Sequence, residues 1–399
     1  MSADFFKIFF ITDIHASTVC FRKFINSSRR EKPPAVLIIG GDITGKVIVP
    51  FIESVNGSYT IPFPDRPLHV APEDVDLLES EFARSGCYVY KCDDDSYKRY
   101  KFGPTVRREV AKRLQIERLN EWLAFADERL KGKNIKLIIN CGNDDPFYID
   151  EVLRSHPSVT FPENKVIDLN DQLQLLSIGY STPTPWNVAK GGDCEREMEE
   201  SQLQRRIEDL VAKATRPYVN CIFNFHCPPL GTQLDLAPRL DATLRPQVGI
   251  QGAEFAHVGS SSVLSAINDF QPALSLHGHV HEQHCIEQIK ATPAVNPGSS
   301  YWSGFLQGAI ASFKGDRLVA VHLTSERFSD ATYEMERKLG FTIAKLVPFV
   351  GDSVDLWIEH PHLKEIKDDL AEVRRSVEEL RRDKGTPPKE SPTQEDDRT

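Results

Sequence analysis

The 399-residue chain reads as an α/β protein. Three observations predict this class. Short apolar runs recur along the chain and end on Gly, Asp, Asn or His. Amphipathic stretches with helical period separate them. The first 42 residues already contain a strand, a helix and a second strand, with an acidic residue after each strand. A parallel βαβ unit places both following loops on one edge of a sheet, where sites of α/β folds lie.

Phe5–Thr12 is the first expected strand and runs into Asp13-Ile14-His15. Thr18–Arg30 is a helix that Lys32-Pro33-Pro34 stops. Ala35–Ile39 is the second strand and ends at Gly40-Gly41-Asp42. Residues 45–132 read as a mostly helical insertion. Within it, Val47–Ile52 and Tyr59–Pro62 suit a hairpin around Asn56-Gly57, and Pro72–Ser85 suits a short helix. Pro104–Lys131 is a long helix: Val110, Leu114, Leu119, Trp122, Leu123, Ala126 and Leu130 share a stripe, and Gly132 suits its end.

The strand pattern then resumes. Ile135–Asn140 ends at Gly142-Asn143-Asp144-Asp145, and Lys165–Leu169 and Gln172–Gly179 follow. Tyr180–Trp186 is a loop rich in proline and hydroxyls, either a pocket wall or an ordinary rigid connection. Cys194–Ala214 is an amphipathic helix, and Tyr218–Phe225 is a strand ending at His226. A helix over Ser261–Phe270 leads to the strand Pro272–Leu276 and the stretch His277-Gly278-His279-Val280-His281. Ala309–Phe313 and Leu318–Leu323 form a last hairpin. These elements make one domain over residues 1–325, followed by an extension over 326–382. In that extension Leu363, Ile366, Leu370, Val373, Val377 and Leu380 give a heptad-patterned helix over 361–382. It would pack on its own domain or join subunits of a homo-oligomer. Residues 383–399 have the composition of a disordered tail.

Composition narrows the function. The net charge is −10, which disfavours a broad nucleic-acid face. The eight cysteines form no Cys-x-x-Cys pair and suit reduced thiols in a cytoplasmic protein. The apolar run Phe5–Ile11 is short and broken by Lys7, so no membrane span or membrane partner is expected.

Five strand ends carry metal-ligand residue types: Asp13-x-His15, Asp42, Asn143, His226 and His279-x-His281. Taken singly, each also fits a polar strand end or a turn. Repeated at successive strand ends, they point to a shared site. The set is rich in oxygen and imidazole and has no thiolate, which suits Mn, Fe, Zn or Ni. About seven ligands exceed one tetrahedral ion and fit two metal ions sharing a carboxylate.

In this order the motifs resemble those of the calcineurin-like metallophosphoesterase superfamily, D-x-H, GD, GN-H-D/E, H and GH-x-H. The stretches His226-Cys227-Pro228-Pro229, His257-Val258-Gly259-Ser260 and Asn296-Pro297-Gly298-Ser299 resemble a poorly characterised microbial branch of predicted phosphoesterases. The resemblance implies a four-layer αββα sandwich of two mixed sheets. It implies that Asp13, His15 and His281 hold one metal, that Asn143, His226 and His279 hold the second, and that Asp42 bridges them. It also implies hydroxide attack on a phosphoester, with metals about 3.5–4 Å apart.

One position departs from the pattern: Asp144 stands where the family has a histidine that helps protonate the leaving group or position the phosphate. A carboxylate near cations stays ionised and is a poor general acid. The expected substrates are therefore small phosphodiesters or phosphoanhydrides with good leaving groups. The expected catalytic positions are Asp42, Asn143, Asp144, His226 and His279. His277, His257 or His284 could supply the proton instead, although His277 also suits a core histidine hydrogen-bonded behind the site. Asp145 reads as a carboxylate that orients a ligand. Two other functions remain open: a metal-binding scaffold or sensor with little turnover, and a nuclease. The insertion could cap the site, pack, or form an interface.

Overall fold

The computed structural model describes residues 5–63, 67–189, 194–249 and 252–326. The heptad helix and tail expected beyond residue 326 lie outside the described residues. Two six-stranded mixed sheets face each other. Across the first run Arg317–Glu326, Leu306–Lys314, Phe6–Ile11, Val36–Ile39, Lys136–Ile139 and Val159–Thr160. Across the second run Cys285–Ile289, Thr292–Asn296, Leu274–Leu276, Cys221–Phe225, Gln174–Ile178 and Val166–Asp168.

Strand alternation sorts the core into three layers. Ile8, Phe10, Val36, Ile38 and Ile138 pack between the sheets against Leu175, Ile222, Leu274 and Val295. Their neighbours Phe9, Ile11, Leu37, Ile39, Leu137 and Ile139 point outward, against Phe21, Phe24, Trp122, Leu123 and Leu153 from helices. On the far side, Leu176, Ile178, Phe223 and Phe225 meet Leu203, Ile207, Val263 and Ile267 of helices Glu200–Val211 and Ser261–Phe270. Period-two side chains in strands buried on both faces therefore give the four-layer αββα sandwich.

The insertion differs in detail from its expectation. It holds a four-stranded sheet ordered Leu68–Val70, Tyr59–Ile61, Ile48–Glu53 and Tyr88–Cys92, as well as a further helix over Asp94–Phe102. The expected hairpin is present, with Asn56 and Gly57 both at positive φ. The long helix, Pro104–Leu130, belongs to two bodies. Val110 packs with Tyr90 and Tyr100 of the insertion. Leu119, Trp122, Leu123 and Ala126 complete the outer core of the first sheet, and Trp122 stacks on Phe21 at 4.5 Å. The second half of this helix is thus a sandwich layer and not part of a cap.

Two other readings need correction, and two elements are unexpected. The helix expected over Cys194–Ala214 starts at Glu200, behind a capping box of Glu199 and Gln202. Pro185–Ala189 is a short helix that begins inside the loop expected over Tyr180–Trp186. Tyr148–Ser155 is a helix and Cys285–Ile289 with Thr292–Asn296 a hairpin, neither of which the apolar pattern announces. All eight cysteines are free. No helix among the described residues is long and apolar enough to cross a membrane.

Candidate metal centre

Parallel pairing sets the site. Ile11, Ile39 and Ile139 lie in register across three strands of the first sheet, so Asp13, Asp42 and Asn143 follow at one edge. Phe225 and Leu276 close parallel strands of the second sheet, and His226 and His279 follow there. The carboxyl ends of both sheets therefore open on the same place.

The ligand loops are zipped together. Asp13 N donates to Gly41 O at 3.0 Å, His15 N to Asp42 O at 3.0 Å and Ala16 N to Ile43 O at 2.9 Å. Ser299 Oγ donates to Asp13 O at 2.6 Å, and His279 N reaches both Asp13 carboxylate oxygens at 3.1 Å. Five non-glycine residues here have left-handed backbones: Asp13 (φ 53°), His15 (35°), Ala16 (62°), Asp42 (49°) and His279 (69°). Each such residue costs of order 1–3 kcal/mol. Among the described residues, half of the positive-φ non-glycine positions thus lie in these ligand loops. Backbone strain concentrated this way accompanies functional sites.

The donor atoms converge. His15 Nε2 and His281 Nε2 are 3.1 Å apart, and His281 Nε2 is 3.3 Å from Asp13 Oδ1. Asn143 Oδ1 lies 2.8 Å from His279 Nδ1 and 3.2 Å from His226 Nε2. Asp42 Oδ2 is 3.3 Å from His226 Nε2 and 3.8 Å from His15 Nε2, so it belongs to both groups. Asp13, His15, Asp42 and His281 alone bring four ligand atoms within 4.8 Å of one another. Ligand bonds of about 2.0–2.2 Å place neighbouring ligands roughly 3–3.5 Å apart, and the donor distances here run from 2.8 to 3.8 Å around that spacing. The donor set fits a metal ion.

Tautomers agree with this fit. His15 Nδ1 faces Thr44 O at 3.2 Å, which leaves the Nε2 lone pair for the cluster. Burial and the His281 ring beside it push the His15 imidazolium down to about 4. His279 is likewise pushed down to about 3, by burial and by His226. His226 goes the other way. Burial opposes its charge, but Asp42 and Asp13 draw its proton in and raise it to about 9. A cation at the centre would replace that proton.

Two glycines make room for the ligands. A Cβ on Gly142 would sit 2.2 Å from Asp42 Oδ1, and one on Gly278 would sit 2.3 Å from Asp13 Oδ2.

The remaining expected residues separate clearly. Asp144 is at the rim: Lys46 Nζ lies 2.6 Å from its Oδ1, and its Oδ2 is 3.9 Å from His15 Nδ1. Burial alone would raise its carboxyl, but Lys46 and His15 outweigh it and hold the group down at about 2. Asp145 bonds to two of the loops. Its carboxylate accepts from Ile43 N, Thr44 N, Thr44 Oγ1 and Gly142 N at 2.7–3.0 Å, tying the Asp42 loop to the Asn143 loop.

His277 is fully buried. Its Nδ1 faces Phe225 O (2.8 Å) and Cys227 O (3.2 Å), and its Nε2 faces Ser275 Oγ (2.8 Å). Burial pushes it down to about 4. It is a neutral core residue, and both of its ring nitrogens are engaged. His257 pairs with Asp235 at 2.7 Å, and His284 with Pro297 O at 2.6 Å. None of the three makes a hydrogen bond to a ligand residue.

Several neighbours carry no sequence signal. Tyr301 lies 4.7 Å from the His15 ring, and Trp302 6.5 Å from that of His281. Glu197 gathers Thr184 N, Thr184 Oγ1 and Asn187 Nδ2 and reaches Asn143 Nδ2 at 3.4 Å. Arg196, fully buried, donates to Asp145 O at 2.8 Å and pairs with Asp150.

No family model matches the chain. It is 28% identical over 160 residues to the uncharacterised protein MJ1162 of Methanocaldococcus jannaschii, covering 40% of this chain and 60% of that protein. The chain thus spans less than two thirds of that relative. Among solved structures, one crystal structure aligns with 82% of this chain and all of its own, at TM-score 0.48 and 18% identity. That of TT1561 from Thermus thermophilus aligns with 81% of this chain and 99% of its own, at TM-score 0.44 and 12% identity.

Proposed function

We propose that the chain is a two-metal phosphoesterase acting on small phosphodiesters or phosphoanhydrides with good leaving groups. The observation that carries this reading is the convergence of seven donors from five strand-end loops, with Asp42 shared between two groups. Asp13, His15, Asp42 and His281 would hold one ion, and Asn143, His226, His279 and Asp42 the other. Bound divalent cations supply charge to phosphoryl oxygens and activate water near neutral pH.

The chain's own residues then set selectivity. Thr44 O and Asp145 fix the ligand loops before substrate arrives. Asp144 stays ionised beside Lys46 and has no proton to give. His277, His257 and His284 are each engaged away from the donors. A leaving group that needs protonation, such as an alkoxide, is therefore poorly served, whereas an aryl oxide or a phosphate leaves unaided.

The test compares hydrolysis of bis-p-nitrophenyl phosphate and of alkyl phosphomonoesters by the Mn²⁺-loaded protein and by Asn143→Ala. The diester should be turned over at least tenfold faster than the monoesters, and the variant should lose at least a hundredfold. Equal rates on alkyl monoesters would contradict the selectivity. Equal rates in the variant would contradict the site.

A further inference from the structure

The ligand cluster explains its own residues but not the cation at its rim. Lys46 lies four residues beyond Asp42 in the same loop. That loop is pinned on both sides. Asp145 holds Ile43 N and Thr44 N, Gln115 Nε2 donates to Gly45 O at 2.8 Å, and Gly45 N donates to Tyr88 Oη at 3.2 Å. Gly45 itself is packed tightly: a Cβ there would be 2.5 Å from Gly86 O. The backbone that carries Lys46 is therefore fixed relative to the ligands.

Its side chain points at the cluster's edge. Nζ lies 2.6 Å from Asp144 Oδ1, and Asp144 N donates to Asp42 Oδ1 at 2.9 Å. The ammonium is thus one residue away from the carboxylate shared by both donor groups. It is also on the solvent side: the Lys46 side chain is 28% exposed, against 15% for Asp144, 4% for Asp42 and none for His226. Asp13, Asp42 and Asp144 gather three carboxylates here. An anionic ester approaching from solvent would be repelled by Asp144 unless a cation met it. An ammonium is a compact point charge suited to phosphate oxygens.

We propose that Lys46 is the anion-binding residue of this site, contacting a non-bridging or leaving-group oxygen of the phosphoester, and that Asp144 is the positioning residue that holds its ammonium there. The assignment rests on the phosphoesterase reading. It names a specificity-determining group for that reaction: Lys46 matches the charge of the ester, and the Asp144 carboxylate beside it disfavours a second negative charge on the substrate.

Inorganic phosphate is the probe. Its binding to the Mn²⁺-loaded protein is measured by equilibrium dialysis, with metal content measured in parallel, for wild type, Lys46→Met and the double variant Lys46→Met/Asp144→Asn. Lys46→Met should weaken phosphate about tenfold or more, the size of a lost charged hydrogen bond, at unchanged metal content. The double variant should stay weak, and KM for the diester should rise more than kcat falls. Wild-type phosphate binding in Lys46→Met would overturn the proposal. So would wild-type binding in the double variant, because Lys46 would then only neutralise Asp144. Loss of metal from Lys46→Met would overturn it too, since Lys46 would then serve the ligands. A wild-type protein that holds its metals but neither binds phosphate nor hydrolyses the diester contradicts the phosphoesterase reading itself, which separates the two failures.

Discussion

Gly142→Ala probes how tightly the sandwich controls its candidate metal ligands. Gly142 is not among the positive-φ glycines, so alanine is conformationally allowed there and the effect is steric. The new Cβ would lie 2.2 Å from Asp42 Oδ1, 2.5 Å from Asp42 N and 2.8 Å from Asp42 Cγ. Ordinary contact begins near 3.4 Å, so Asp42 must move by about 1 Å. Part of that contact is backbone, which cannot swing aside as a side chain could. Asp42 is also the carboxylate common to both donor groups, so one displacement disturbs both. Overpacking of this kind costs about 1–3 kcal/mol, and a misplacement of about 1 Å costs of order a hundredfold in a preorganised site. The assay is Mn²⁺ affinity by titration calorimetry, with the melting temperature of the metal-free protein as control. The expected outcome is a folded protein melting a few degrees lower, with manganese affinity and diester turnover each down about a hundredfold. Wild-type affinity in Gly142→Ala would refute the idea that this close approach places Asp42.

Three further outcomes follow from the same geometry. Asp145→Asn sets an amide against four donors and should destabilise the protein by about 3 kcal/mol, read by denaturant unfolding; a change within about 0.5 kcal/mol would show the bonds to be dispensable. His277→Ala should lower stability by about 2–4 kcal/mol yet leave the shape of the pH–rate profile unchanged, and loss of one limb of that profile would instead make His277 a proton donor. The raised His226 gives metal binding a pH dependence. With its proton held to about pH 9 by Asp42 and Asp13, the ring is charged at pH 7 and must release that proton to bind a cation. Apparent Mn²⁺ affinity should therefore rise roughly tenfold per pH unit from pH 7 and flatten near pH 9. A pH-independent affinity over that range would contradict a ligand role for His226.

The strands and the candidate ligands are legible in the sequence for one reason. A strand buried on both faces reads as a short apolar run, and the first polar residue after it marks the sheet edge. Asp13, Asp42, Asn143 and His226 all follow such runs. His277 is harder to read, because alternation puts it on one face with His279 and His281. The strand instead ends at Leu276, so His277 shares its face with Ser275 and turns into the core, and the left-handed turn at His279 redirects the other two. Gly278 is the available signal for that break.

Arg196 and Glu197 are absorbed into an expected helix, because polar residues at 194–199 continue its amphipathic pattern. The Glu199/Gln202 capping box marks the true start. Lys46, Tyr301 and Trp302 have no periodic signal at all, since they reach the site through loops whose paths depend on tertiary contacts. Of the insertion sheet, the sequence shows the hairpin of Ile48–Glu53 and Tyr59–Ile61 but not Leu68–Val70 or Tyr88–Cys92. Leu68–Val70 has three residues, too few to show alternation.

The proposal of a two-ion centre built from five loops stands or falls on metal-dependent phosphodiester hydrolysis. Its most direct test is the initial rate of bis-p-nitrophenyl phosphate hydrolysis as Mn²⁺ is added stepwise to metal-free protein. The rate should climb to a break at two equivalents per chain. A full rate at one equivalent would contradict the shared role of Asp42, and no rate at any loading, with manganese bound, would contradict the phosphodiesterase itself.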